Sequence, residues 1–186
     1  MIDLRHWGAS PDEINATMPG DDLIETAQEV GTRAITINAA PERIFAFLAQ
    51  MGLGRAGWYS YDLLDNLGRR SATGIHPEWA VSAAGEPVPA GPLSFTAAVV
   101  EPPTSYVLDL AAPRQEPGRI GFTLAYRLNP VDHRTPDTAT RLVSRVRIRI
   151  DGPGGAAAAR ALLLGDGLMV RRQLLGLKAR ATAQSR

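Results

Sequence analysis

The sequence predicts an α+β protein, a curved antiparallel sheet closed by one long C-terminal helix. Three observations carry that prediction. Runs in the middle of the chain alternate apolar and polar residues with period two. Turns rich in Gly, Pro, Asp and Asn separate these runs at short intervals, and everything after Gly154 is helical in character. Period-two runs joined by short turns are the signature of antiparallel meander pairing. A curved sheet needs cover on its concave face, and only the C-terminal helix is large enough to supply it.

The elements follow in order. Ser10-Pro11-Asp12-Glu13 marks a helix start, with Ser10 as N-cap, Pro11 at the first helical position and Glu13 able to close a capping box. The predicted helix covers residues 11–17 and ends at Pro19-Gly20, within an N-terminal arm of residues 1–30. Residues 32–38 (TRAITIN) read as the first strand of the main domain, residues 31–182. Pro41 opens a helix whose Ile44, Phe45, Phe47, Leu48 and Met51 form one apolar stripe, stopped at Gly52. A second short helix is expected over residues 58–67.

Strands then follow around Leu93–Val99, Tyr106–Leu110, Ile120–Leu128 and residues 141–150, with shorter strands possible within 78–90. The final helix spans about residues 155–180, roughly 39 Å at ~1.5 Å per residue. It crosses Gly165 and Gly167, which predicts a bend or a close approach to another backbone.

A chain of 186 residues with 45% hydrophobic and 21% charged residues is long enough for one cored domain with a small appendage. The net charge of +1 gives no bulk reason to expect nucleic acid or an anionic membrane. Cysteine is absent, which excludes disulfides, thiolate metal sites and cysteine nucleophiles. No stretch approaches the ~20 apolar residues of a membrane span, and the N-terminal segment lacks a signal-peptide layout. A cytoplasmic protein is expected, with no metal and no cofactor; its oligomeric state is not readable.

The pattern TRAITINAAPERIFAFLAQMG, together with MPGDDL (18–23), GRAGWYSYDLLDNLG (54–68), VVEPPTSYVLDL (99–110) and LLGDGLMVRRQLLGLKARA (163–181), resembles the START-like, or SRPBCC, superfamily. The resemblance runs from about Trp7 to Ala181 and is to an actinobacterial-type, polyketide cyclase-like branch. It implies a helix-grip fold with an elongated, largely apolar cavity between sheet and C-terminal helix. It implies no particular reaction, so function has to be argued from the site.

Candidate ligand-binding residues are Trp58, Tyr59, Tyr61, Tyr106, Tyr126 and Met169. The first three crowd into GRAGWYSYD, where each offers an apolar body and a polar handle. Helical spacing would put Trp58, Tyr61, Asp62 and Asp65 on one face and Tyr59, Leu63 and Leu67 on another. Ordinary core packing is the competing account of all three. Tyr106 and Tyr126 fall on inward strand faces, as do Phe95 and Phe122. A buried tyrosine hydroxyl needs a partner, which a ligand could supply. Met169 could close the cavity with an adaptable thioether.

Acid–base machinery is thin. His76 and Glu78 stand close in IHPEW, with Asp62 a possible neighbour, but Pro77 makes the segment a loop where exposed polar residues are routine. His6 and His133 lack evident partners, and no catalytic set is assigned. No HExxH, GxSxG, Walker or GxGxxG pattern occurs. Arg141, Arg145, Arg147 and Arg149 share one strand face, read as a solvent face with acidic neighbours or as a docking patch for an acidic partner.

The preferred expectation is a protein binding a small hydrophobic or aromatic ligand in the cavity. A cyclase- or dehydratase-like enzyme using Tyr61, Asp62 or His76 is the alternative. A protein-interaction module with its cavity filled by Phe95, Phe122, Tyr126 and Met169 is a third.

Overall fold

The computed structural model describes residues 3–110, 120–132 and 139–183; His133 lies outside them. Ser10 caps a short helix α1 (Pro11–Asn15) through a complete capping box with Glu13. Strand β1 (Glu29–Ile37) leads into α2 (Pro41–Ala49), and α3 (Asp62–Asp65) is a single helical turn. Strands β2 (Pro87–Ala90), β3 (Leu93–Glu101), β4 (Ser105–Leu110), β5 (Ile120–Pro130) and β6 (Thr140–Ile150) precede α4 (Gly155–Thr182).

The strands form one six-stranded antiparallel sheet in the order β1-β6-β5-β4-β3-β2. Consecutive strands β2 to β6 are neighbours, as a meander requires, and the first strand closes against the last. A register irregularity between Ala97 and Val99 interrupts β3, the kind of extra residue that bends a strand.

Alternation sorts the two faces. Leu124, Tyr126, Leu128, Leu142, Val146 and Ile148 point to the concave side and are buried. They meet α4 through Ala159, Leu163, Gly167, Val170, Leu174, Leu177 and Ala181, which recur at three- and four-residue intervals. Helix α2 packs its Ile44, Phe47 and Leu48 into the same core.

The convex face has a smaller core of Ala34, Val107, Ala125 and Val143, covered by Met18 from the N-terminal segment. The arginine row of β6 lies on this face, where Arg141, Arg145 and Arg147 are covered by the N-terminal segment while Arg149 is exposed. Arg145, only 4% exposed, donates to the carbonyls of Glu13, Ile14 and Ala16 and to Asp21 Oδ2. Arg141 pairs with Glu13 and reaches the Gly8 carbonyl, and Arg147 donates to the carbonyls of Ile24 and Glu25. The row's partner is therefore the chain's own N-terminal segment.

Helix α4 runs unbroken through both glycines. Gly165 has open space where a Cβ would go, but a Cβ at Gly167 would stand 2.8 Å from the Leu4 carbonyl oxygen. At Gly176 it would overlap the Tyr59 carbonyl oxygen. The close approach foreseen at Gly167 is present, and a second one occurs at Gly176.

Candidate functional site

The expected helix over residues 58–67 does not form across that span. Gly57 and Tyr59 both adopt positive φ (76° and 59°), a left-handed conformation that cannot propagate an α-helix. The segment instead turns sharply and only then enters α3. The aromatics consequently diverge rather than sharing helical faces.

Between this segment, the concave sheet and α4 lies a cavity of about 340 Å³. Phe95, Phe122 and Leu124 form its sheet wall; Met169 and Val170 of α4 and Leu53 and Trp58 of the connecting loop oppose them. Leu64 and Leu67, 70% and 76% exposed, lie along it near Gly91-Pro92 and set its mouth. The rings of Trp58 and Phe95 meet edge-on with centroids 5.7 Å apart, and Phe95 leads on to Phe122 at 5.9 Å.

Four polar side chains share this apolar lining: Ser60, Asp65, Asp166 and Gln173. Asp166 is held by Arg33, whose Nη1 donates to Oδ2 at 2.7 Å. Arg33 itself is fully buried on the concave face, in phase with Ile35 and Ile37, and also donates to the carbonyls of Leu4 and Leu163. Burial pushes the Asp166 carboxyl up to about 6 despite the opposing pull of Arg33. The two oxygens of Asp65 are buried and make no full hydrogen bond, with the Ser60 hydroxyl and the backbone of Tyr61 and Asp65 near enough to favour the charged form only weakly. The neighbouring Ser60 hydroxyl donates instead to the Met169 carbonyl at 2.9 Å. Burial, reinforced by the nearby charge of Asp62, pushes Asp65 up to about 6.

Behind the cavity a polar row crosses the sheet. Cross-strand register places Arg33 opposite Ser144, Ser144 opposite Tyr126 and Tyr126 opposite Tyr106. Tyr126 donates to Gln173 Oε1 at 2.6 Å, and Gln173 Nε2 lies 3.5 Å from Met51 Sδ. The hydroxyls of Tyr106 and Ser144 are buried without partners.

Of the six sequence-predicted ligand residues, Trp58 and Met169 line the cavity. Tyr126 reaches it through Gln173. Tyr106 is buried against Phe45, outside the lining. Tyr59 turns the other way: its hydroxyl accepts from Gln50 Nε2 at 2.7 Å, Arg180 sits over its ring, and burial pushes its hydroxyl up to about 12. Tyr61 is 43% exposed on a separate shallow groove with Asp62, Arg171 and Arg172.

The acid–base trio does not assemble in the cavity. Asp62 Oδ1 accepts from the backbone and hydroxyl of Ser71. His76 stacks on Trp79 and pairs with Glu78 at 3.4 Å, with both side chains substantially exposed. The residues not anticipated were Arg33, Asp65, Asp166 and Gln173. Signals existed for two of them: Arg33 stands in the inward phase of TRAITIN, and Asp166 is the only acid between Gly155 and Thr182. Among the described residues, no three His, Cys, Asp or Glu side chains are placed to share a metal ion, and no helix is long and apolar enough to cross a membrane.

Sheet, gripped helix and intervening cavity together define an α+β helix-grip protein. A hypothetical protein from Helicobacter pylori shares the fold at a TM-score of 0.58 and 11% identity, over 90% of this chain and 96% of its own. The di-domain ARO/CYC protein BexL from the BE-7585A biosynthetic pathway aligns at 0.44 and 15% identity, over 88% of this chain and 54% of its own. The Aha1 dimer from Colwellia psychrerythraea aligns at 0.47 and 17% identity, over 84% and 98%. No family model matches the chain, and no curated protein matches it.

Proposed function

We propose that the protein binds a small, largely apolar and aromatic molecule in the cavity between sheet and α4. The observation that carries this reading is the cavity itself: about 340 Å³, walled by Trp58, Phe95, Phe122, Leu124 and Met169, with a few polar groups set among them. That size lies at the low end of the ~300–1,000 Å³ range of ligand pockets, which favours a compact ring system over a long acyl chain. Binding would draw on apolar burial, at about 25 cal/mol per Å² removed from water. Phe95, Phe122 and Met169 border the space without closing it, which argues against a filled, purely structural core.

The test is to purify the protein gently and compare its native and denatured masses, extracting any excess for identification. A bound apolar compound is the expected result. A titration with naphthalene-based probes follows, in wild type and in Met169→Trp, whose larger side chain would occupy the cavity. Binding should fall at least about tenfold in the variant while its far-ultraviolet circular dichroism stays unchanged. Equal binding in the two proteins would place the ligand elsewhere.

A second reading has its own support. Asp65 and Asp166 border one cavity with carboxyls pushed up to about 6, a range suited to general acid–base transfer near neutral pH. A cyclase- or dehydratase-like reaction would then use these residues rather than Tyr61, Asp62 or His76. Recovery of a chemically altered product from the incubated probe, lost in Asp65→Asn, would favour it.

A further inference from the structure

Among the described residues, the charged side chains lining the cavity are two carboxylates, Asp65 and Asp166, and no Lys, Arg or His accompanies them. Arg33 balances Asp166 from behind through a 2.7 Å ion pair. Among the described residues no cation pairs with Asp65, and both of its oxygens are buried without a full hydrogen bond, the Ser60 hydroxyl and nearby backbone giving only weak support. Facing into the same space are the rings of Trp58, Phe95 and Phe122, linked by edge-on and tilted contacts at 5.7 and 5.9 Å. Aromatic faces attract cations through their quadrupole, most strongly where water is excluded.

From this juxtaposition we infer that the cavity selects a cationic ligand, an apolar or aromatic body bearing an amine or ammonium group, and that Asp65 is the residue that selects it. The inference rests on the binding reading above and adds to it the ligand's charge.

Three arguments support the choice of charge. A cation beside Asp65 supplies the missing counter-charge, which a neutral hydrogen-bond donor such as an alcohol cannot. A carboxylate ligand meets an uncompensated like charge in a poorly hydrated space, which acts as rejection rather than mere weak binding. The three rings add an attraction that an alcohol of the same shape cannot draw on. Burial and Asp62 push Asp65 up to about 6, the response of a carboxylate held without a compensating partner, yet one still ionised at neutral pH.

The experiment uses three probes with one naphthalene body: 2-naphthylmethylammonium, 2-naphthalenemethanol and 2-naphthoate. Each is titrated calorimetrically near neutral pH into wild type, Asp65→Asn and Asp65→Glu. In wild type the ammonium should bind about tenfold tighter than the alcohol, with the naphthoate weakest. Asp65→Asn should bring the ammonium to within about threefold of the alcohol, while Asp65→Glu keeps the preference. If wild type binds the alcohol as tightly as the ammonium, the inference is overturned while the binding reading stands. A preference that survives in Asp65→Asn overturns the assignment to Asp65. If none of the three probes binds, both fall together.

Discussion

Arg33 is where single-residue chemistry decides most. Its guanidinium crosses from β1 to α4, donating to Asp166, to the Leu163 carbonyl and to the Leu4 carbonyl from one buried position. Replacing it by Met would strand the Asp166 carboxylate without a partner. Breaking one side of a buried ion pair typically costs about 3–5 kcal/mol, whereas replacing both sides by apolar residues is often near neutral. Arg33→Met should therefore destabilise the protein by about 3 kcal/mol or more, and Arg33→Met combined with Asp166→Leu should restore a large part of that loss. Urea unfolding of the two single variants and the double variant measures the coupling. Additive losses would show that the pair does not act as a unit. The sequence carried a hint of this interaction, a charge in phase with Ile35 and Ile37. Its partner stands far along the chain, and no local pattern joins the two.

At the scale of elements, local signals were legible where the backbone is regular and failed where it is not. The capping box of α1, the apolar stripe of α2 and the period-two strands follow from residue spacing alone. GRAGWYSYD did not yield to helical spacing because spacing presumes a helix. Gly57 turns left-handed where a Cβ would stand 2.5 Å from Ser71 Oγ, and Tyr59 follows it with positive φ. Those contacts are tertiary, so the sequence could single out Trp58, which lines the cavity, without the geometry that sends Tyr59 elsewhere.

The arginine row is the converse case. Its spacing and acidic neighbours were foreseen, and Glu13 and Asp21 do pair with it, but many of its bonds go to backbone carbonyls of the N-terminal segment, which carry no sequence signature. Arg145 is the centre of that clasp. Arg145→Met should release the segment, with a loss of about 3 kcal/mol in stability and faster proteolytic cleavage between residues 10 and 28. Cleavage at the wild-type rate would mean that Met18 and α1 hold the segment without the arginine.

For the molecule as a whole, the cavity's carboxylates set a dependence of stability on pH that runs opposite to the usual acid lability. A carboxyl pushed up to about 6 on folding, against an ordinary value near 3.8, binds more protons in the folded state than in the unfolded state between those limits. Stability therefore falls as pH rises through that window, and the cost of holding the charge is complete above it. Glu13, lowered mainly by its hydrogen bond to Arg141, acts in the opposite sense, so the total curve is a balance and a difference between variants isolates one group.

Asp65→Asn removes one such charge while nearly preserving shape. At pH 7.5 the variant should be more stable than wild type by about 1 kcal/mol, well below the full shift because Asp65 is only partly buried and water screens it. At about pH 4, where the wild-type carboxyl is largely protonated when folded, the advantage should shrink towards zero. Urea midpoints of both proteins at the two pH values supply the test. A variant no more stable at neutral pH would mean that Asp65 is already compensated in the unliganded protein, and the case for a bound cation would weaken with it. The predicted pattern would mark a group that folding alone leaves unsatisfied, with stability given up at a position where a ligand could restore it.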